Sequence, residues 1–198
     1  WQEFDQATQA FGLATTGGTV GETGIAGLTL GGGVGWLVRK YGLTCDNLLA
    51  ADVVTADGQL RHVSSEEDSD LFWALRGGGG NFGVVTRLHF RLHELRQFTG
   101  GILVLPATPE TIAGFVDASL SAPEALSTIG NVMPAPPMPF LPPEVHGRLV
   151  ILGMLAYAGD DESARRALAP FRSLATPLAD MVAPMPYHVI NGLFDGLL

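Results

Sequence analysis

Glycine is the residue most able to do chemistry in this sequence, and it is concentrated in two clusters. Gly17-Gly18, Gly21, Gly24, Gly27, Gly31-Gly32-Gly33 and Gly35 place nine glycines in nineteen positions. Gly77-Gly78-Gly79-Gly80 and Gly83 form a second cluster around Asn81-Phe82. Main chain without side-chain cover lets successive N–H groups close around phosphate oxygens, or lets a flat ring lie against the backbone. Such amide dipoles suit a chain with a formal net charge of −9 and a single lysine, Lys40. The competing reading is that the glycines serve tight turns and bulges. Turns alone seldom need this density, so contact with a cofactor is the favoured of the two.

Spacing excludes two nucleotide-binding patterns. Gly78, Gly80 and Gly83 satisfy G-x-G-x-x-G, but that fingerprint follows a strand and opens a helix. Here a helical segment precedes it and a strand beginning at Val84 follows. Lys40 is followed by Tyr41, so there is no P-loop lysine either.

The histidines are His62, His89, His93, His146 and His188. On one strand, His89 and His93 would stand about 13 Å apart, too far to share a metal, and both read as a solvated face. The lone cysteine, Cys45, excludes a disulfide framework and reads as a small buried hydrophobe. Asp46-Asn47 can either bond a turn or bind a ribose, turn bonding being favoured. Trp36 and Trp73 read as core residues beside the glycine turns. Eleven Lys+Arg against twenty Asp+Glu argues against nucleic acid or anionic lipid as partner. The longest apolar run, around Leu149–Tyr157, is too short to span a bilayer.

These residues must be positioned by ordinary elements. Eighteen of the 26 glycines lie in residues 1–100 and all thirteen prolines beyond them, which predicts two regions, 1–97 and 98–198. In the first, Trp1, Phe4, Ala7 and Phe11 give a helical period ended by Gly12. Leu48–Val63 reads as a hairpin around Asp57-Gly58, a pair that accepts a type I′ turn. Ser69 is positioned to cap a short helix, Asp70–Arg76. Val84–Leu92 alternates cleanly, with Leu88, Phe90 and Leu92 on one face and Arg87, His89, Arg91 and His93 on the other. The second region reads strand Gly101–Leu105, helix Glu110–Leu120, strand 127–133, strand Arg148–Tyr157, helix Glu162–Phe171 and a last strand near Leu178–Val182. That β-α-β-β-α-β order predicts an α+β fold with helices on one face of an antiparallel sheet. Six prolines between Pro134 and Pro143 mark a rigid loop.

The blocks Gly12–Gly18, Gly24–Leu37, Arg39–Asn47, Val54–Gly58 and Asp70–Thr86, in this order, resemble the FAD-linked oxidases of the vanillyl-alcohol oxidase superfamily, closest to its berberine-bridge-enzyme-like branch. The resemblance covers roughly residues 1–95. It implies the second subdomain of a PCMH-type FAD-binding domain in residues 1–97, followed by the start of an α+β substrate domain in 98–198. Pro186-Tyr187 and Phe194-Asp195 are weaker landmarks. A middle fragment is the expectation, lacking the first FAD subdomain and the C-terminal end.

Carried over residue by residue, the resemblance implies that Gly18, Thr19 and Val20, then Thr23, Gly24, Gly27 and Leu28, run along the flavin with their backbone. Val34 would stand where some relatives have a cofactor-side tyrosine. Val84 and Val85 would meet the adenosine or flavin edge, and Tyr187 either lines a substrate pocket or is an ordinary amphipathic surface tyrosine. Val20 stands where doubly linked members have cysteine, so no cysteinyl–flavin bond is expected. The tetraglycine either contacts the cofactor or packs helix against strand. The implied partners are a small organic substrate and dioxygen, with a homodimer or the missing part of the chain to cover exposed cofactor-facing surface. No catalytic residue and no metal ligand is nominated. The second expectation is a fragment without catalytic activity in isolation, unable to bind FAD alone.

Overall fold

A computed structural model describes residues 1–194; Asp195, one of the landmarks above, lies outside them. The chain divides into two compact units, Trp1–Arg96 and Gln97–Leu193.

The first unit opens with α1 (Gln2–Gln9). Its apolar stripe is anchored by an aromatic trio, Trp1, Phe4 and Phe90, whose rings meet edge-on with centroids 5.4–5.7 Å apart. The helix stops short of the expected Phe11, which is exposed; Gly12 then turns the chain at φ +69°. Next come β1 (Leu13–Ala14), α2 (Ile25–Leu30) and α3 (Val38–Tyr41). A three-stranded antiparallel sheet follows, built from β2 (Leu48–Val54), β3 (Leu60–Ser64) and, after α4 (Ser69–Leu75), β4 (Val84–Phe90), with β2 in the centre. β5 (His93–Glu94) pairs with β1. Leu48, Ala51, Val53 and Val63 point to one face of the sheet and pack with Leu30, Phe72 and Leu75 from α2 and α4.

Three local expectations are corrected. The hairpin between β2 and β3 is where the sequence places it, but only Gly58 has positive φ. The Gly58 amide donates to Thr55 O and the Thr55 amide to Gln59 O. That is a type I turn closed by a glycine bulge, not the type I′ turn, which needs positive φ at both central residues. At α4 the N-cap is Asp68, in the left-handed region at φ 47°, rather than Ser69. The strand from Val84 ends at Phe90, so His93 leaves the polar face of β4 and joins β5.

In the second unit the expected order of elements is present: β6 (Phe98–Pro106), α5 (Pro109–Ser121), β7 (Leu126–Pro134), β8 (Leu149–Ala158), α6 (Asp161–Arg172), then two short strands, β9 (Ala179–Asp180) and β10 (Ala183–Pro184). The sheet is antiparallel in the order β10-β6-β8-β7, with β9 also on β6. Such a split β-α-β arrangement puts both helices on one face. Phe115 of α5 and Leu168 and Phe171 of α6 pack there against Leu103, Leu105, Leu126, Ile151 and Leu155. Each helix begins at a side-chain cap: Thr108 Oγ1 accepts from the Thr111 amide at 3.2 Å and Asp160 Oδ1 from the Ser163 amide at 2.8 Å. Gly130 and Gly153 are seats for the Phe115 ring, which a β-carbon at either would approach within 2.6–2.8 Å. The mixed α/β architecture with antiparallel sheets is therefore as expected.

Candidate functional site

The first glycine cluster folds into two parts with different physical purposes. Thr15, Thr16, Gly17 and Gly18 run buried out of β1. A β-carbon on Gly17 would stand 2.8 Å from the Trp1 ring, and one on Gly35 would fall onto the Gly17 carbonyl. Gly33, at φ +84°, is filled from the other side by the Thr44 side chain. These three glycines are required by the protein's own packing.

Gly24 and Gly27 are the reverse case. Both are exposed, and a β-carbon at either meets nothing within 4 Å. Gly24 is the N-cap of α2, with extended φ −65°, ψ 135° and no side-chain cap bond. The amides of Ile25, Ala26 and Gly27 have no partner inside the helix, as at any helix start. From Gly17 to Gly27, among the described residues, the Thr23 amide alone donates to a backbone carbonyl, that of Val20 at 3.2 Å. Among the described residues the other amides of this run donate to no backbone carbonyl, and at Gly24 and Gly27 the main chain is bare, able to take anionic oxygens or a flat ring.

Thr19, Val20 and Thr23 form the partly exposed bend between the buried strand exit and α2. Leu28 is half-buried against Gly18. Val85 is half-buried in the core that α2 enters through Leu30; Val84 beside it is 67% exposed and Val34 is 61% exposed. The tetraglycine forms a turn at Gly79–Phe82 that neighbours α2. A β-carbon on Gly78 would meet the Phe82 ring at 2.5 Å, and one on Gly83 the Val54 carbonyl oxygen at 2.5 Å. Close packing therefore accounts for these two glycines, whereas Gly80 faces open space. Trp36 is buried as expected, but Trp73 is 76% exposed on the outer side of α4: Phe72 and Leu75 take that helix's inward positions. Tyr187 is not a surface tyrosine: it is fully buried in the second unit, its ring packed edge-on to Phe98 at 5.1 Å.

Sequence reasoning missed a polar cluster around Asn47. This side chain is buried, donates through Nδ2 to Tyr41 O at 3.0 Å and Leu43 O at 2.9 Å, and accepts at Oδ1 from His93 Nε2 at 2.7 Å. Since both Nδ2 hydrogens go to carbonyls, Oδ1 is left as the acceptor, which fixes the His93 proton on Nε2. The His93 ring stacks on Tyr41 at 3.9 Å. Burial, with Arg91 and Lys40 nearby, holds its pKa below the usual histidine value. Asp46 Oδ2 accepts from the Leu43 amide at 2.9 Å. Both members of the Asp46-Asn47 pair are thus engaged in turn bonding.

On the outer face of the sheet, His62 Nδ1 lies 2.8 Å from Asp52 Oδ1, and this bond is the main reason the Asp52 carboxyl stays below its ordinary value. Cys45 is buried, which raises its thiol pKa. Among the described residues no three His, Cys, Asp or Glu side chains converge as a metal site. No helix there is long and apolar enough to cross a membrane.

Comparison with known proteins places the chain among relatives. Residues 1–64 match the family described as FAD binding domain. An FAD-linked oxidoreductase of Dictyostelium discoideum is 34% identical over 197 residues, 98% of this chain and 40% of that protein. The crystal structure of 6-hydroxy-D-nicotine oxidase from Arthrobacter nicotinovorans superposes with a TM-score of 0.85 at 30% identity, covering 100% of this chain and 43% of the other. A BBE-like protein of Physcomitrella patens shares the fold, with a TM-score of 0.73 at 24% identity over 92% of this chain and 37% of that one. The chain spans about two fifths of the length of the first two of these proteins.

Proposed function

The chain belongs to the FAD-linked oxidoreductases of the vanillyl-alcohol oxidase type, and from that membership we propose that its first unit holds FAD for the oxidation of a small organic substrate. The observation that carries this reading is the pair Gly24 and Gly27, where the protein leaves open space beside unspent amides. The residues present fit the group: a flat ring needs close main-chain approach, and pyrophosphate needs donors rather than cations in a chain of net charge −9.

In this proposal the backbone of Gly18, Thr19, Val20, Thr23, Gly24, Gly27 and Leu28 lies along the cofactor, and Val34, Val84 and Val85 border it. When bound, FAD supplies the redox chemistry, taking hydride from a carbon bearing an alcohol or amine and passing the electrons to dioxygen, which leaves as hydrogen peroxide. The chain's own contribution is orientation and electrostatics: amides between Gly24 and Gly27 fix the ring and bias its potential. The second unit is proposed as the beginning of the substrate domain.

The exposed Trp73 and Val84 favour a second reading, an isolated piece that needs the remainder of its domain or a partner chain to retain the cofactor. Purified chain carrying the visible absorbance of oxidised flavin supports the first reading. Chain that stays colourless after incubation with FAD, and remains so with a complementing FAD subdomain from a relative, overturns it.

A further inference from the structure

The run of open amides with α2 behind it forms the cradle proposed for the cofactor, and the chain leaves it through the reversal at Gly32-Gly33, where Leu28 of α2 packs against Gly33. Gly32 and Gly33 have φ of +103° and +84°, and their carbonyls accept from the amides of Cys45 at 2.9 Å and Thr44 at 3.0 Å. Those two amides belong to the turn Thr44–Asn47, and the Asn47 side chain bonds the segment that leads into it. Asn47 draws in the carbonyls of Tyr41 and Leu43 on one side. On the other, its own carbonyl accepts from the Arg91 amide at 2.7 Å, and its Oδ1 from His93. Two residues past Gly33, Gly35 presses on the Gly17 carbonyl, where the bare run begins.

Resting on the FAD reading, we infer that His93 is a positioning residue for the cradle: through Nε2–H it fixes Asn47, which holds the amides of Thr44 and Cys45 in place to set the Gly32-Gly33 reversal. The ring contacts Asn47 and Tyr41 and acts through this relay. The ring is faced by Tyr41, and Lys40 and Arg91 are the charged groups acting on it. Its donor to Asn47 is present in both the neutral and the protonated ring.

The test separates the hydrogen bond from the packing. His93→Phe keeps a ring to stack on Tyr41 but leaves a buried oxygen of Asn47 without its donor. His93→Gln restores a donor at similar reach. Hydrogen exchange on the flavin-free chain is expected to show protection of the Thr44 and Cys45 amides falling about tenfold in His93→Phe and staying within about threefold in His93→Gln. Tyr41→Leu, which removes the stack and spares the bond, keeps protection and serves if His93→Phe does not fold. Flavin retention is expected to follow the same order. Unchanged protection in His93→Phe, equal loss in His93→Gln or in Tyr41→Leu, or altered protection with unaltered flavin retention overturns the relay. Failure of the unmodified chain to take up FAD counts against the cofactor reading instead, while the exchange data still decide the relay.

Discussion

The Gly17 carbonyl oxygen occupies the place where Gly35 would carry a β-carbon. Two strands of main chain are thus in direct contact across the root of the glycine cluster, and no side chain can be inserted between them. Gly35→Ala is expected to destabilise the first unit by about 3 kcal/mol, because backbone on backbone has no rotamer to yield. Thermal unfolding followed by circular dichroism measures it; a shift in midpoint within error of zero refutes the contact.

Gly27 should behave in the opposite way. It sits inside α2 with open space beside it, so Gly27→Ala is expected to gain about 0.5–1 kcal/mol from helix propensity alone. Gly27→Leu is expected to fold as well and to lose flavin, its side chain entering the volume proposed for the cofactor. Loss of stability in the alanine variant, or undiminished flavin in the leucine variant, contradicts the open-space assignment. His89→Ala, on the outer face of the sheet, should change neither.

Acid should weaken the first unit through His93. Burial and the nearby Arg91 and Lys40 depress its folded pKa, while the unfolded chain takes up the proton near 6.5. Above that value the stabilisation is fully present; as pH falls below it the unfolded state binds the extra proton and stability is lost. Melting points measured from pH 7.5 to 5 should fall less steeply in His93→Gln than in the unmodified chain. Parallel curves would exclude His93 as the source.

Phe115 should be the most costly single truncation in the second unit. It packs edge-on to Phe171 at 5.2 Å and fills the seats at Gly130 and Gly153. Phe115→Ala is expected to cost about 3–5 kcal/mol. Gly130→Ala should also destabilise, but less so in a Phe115→Leu background, since the clash is with the ring; additive effects in a double-mutant cycle would refute that pairing.

The second unit was legible in the sequence because strand-length, continuously apolar runs are separated there by segments of helical period. Val150 to Ala158 and Leu103 to Leu105 are buried along their length, and their shortness between Gly and Pro signals marks them as strands rather than helices. The hairpin at Asp57-Gly58 was legible in place but not in type, since both turn classes put glycine after aspartate and differ by one residue of loop. His93 was misread because alternation alone does not show where a strand stops. β4 stops at Phe90, where pairing with β2 runs out. Trp73 was misread because helix faces are chosen by neighbours, and Phe72 and Leu75 had the better claim on the core. The cradle itself was half legible. Glycine density marks the segment, but only the fold separates Gly17, Gly33 and Gly35, which the protein needs for itself, from Gly24 and Gly27, which it does not.

The strand pairings differ in regularity between the two units. β8 is bonded without interruption along β6 from Phe98 to Pro106 and along β7 from Leu126 to Pro134, whereas β2 and β4 slip register twice within seven residues. Curvature is therefore unevenly shared: the two slips put a local bend and added twist into the sheet of the first unit, while the uninterrupted ladders of the second carry none.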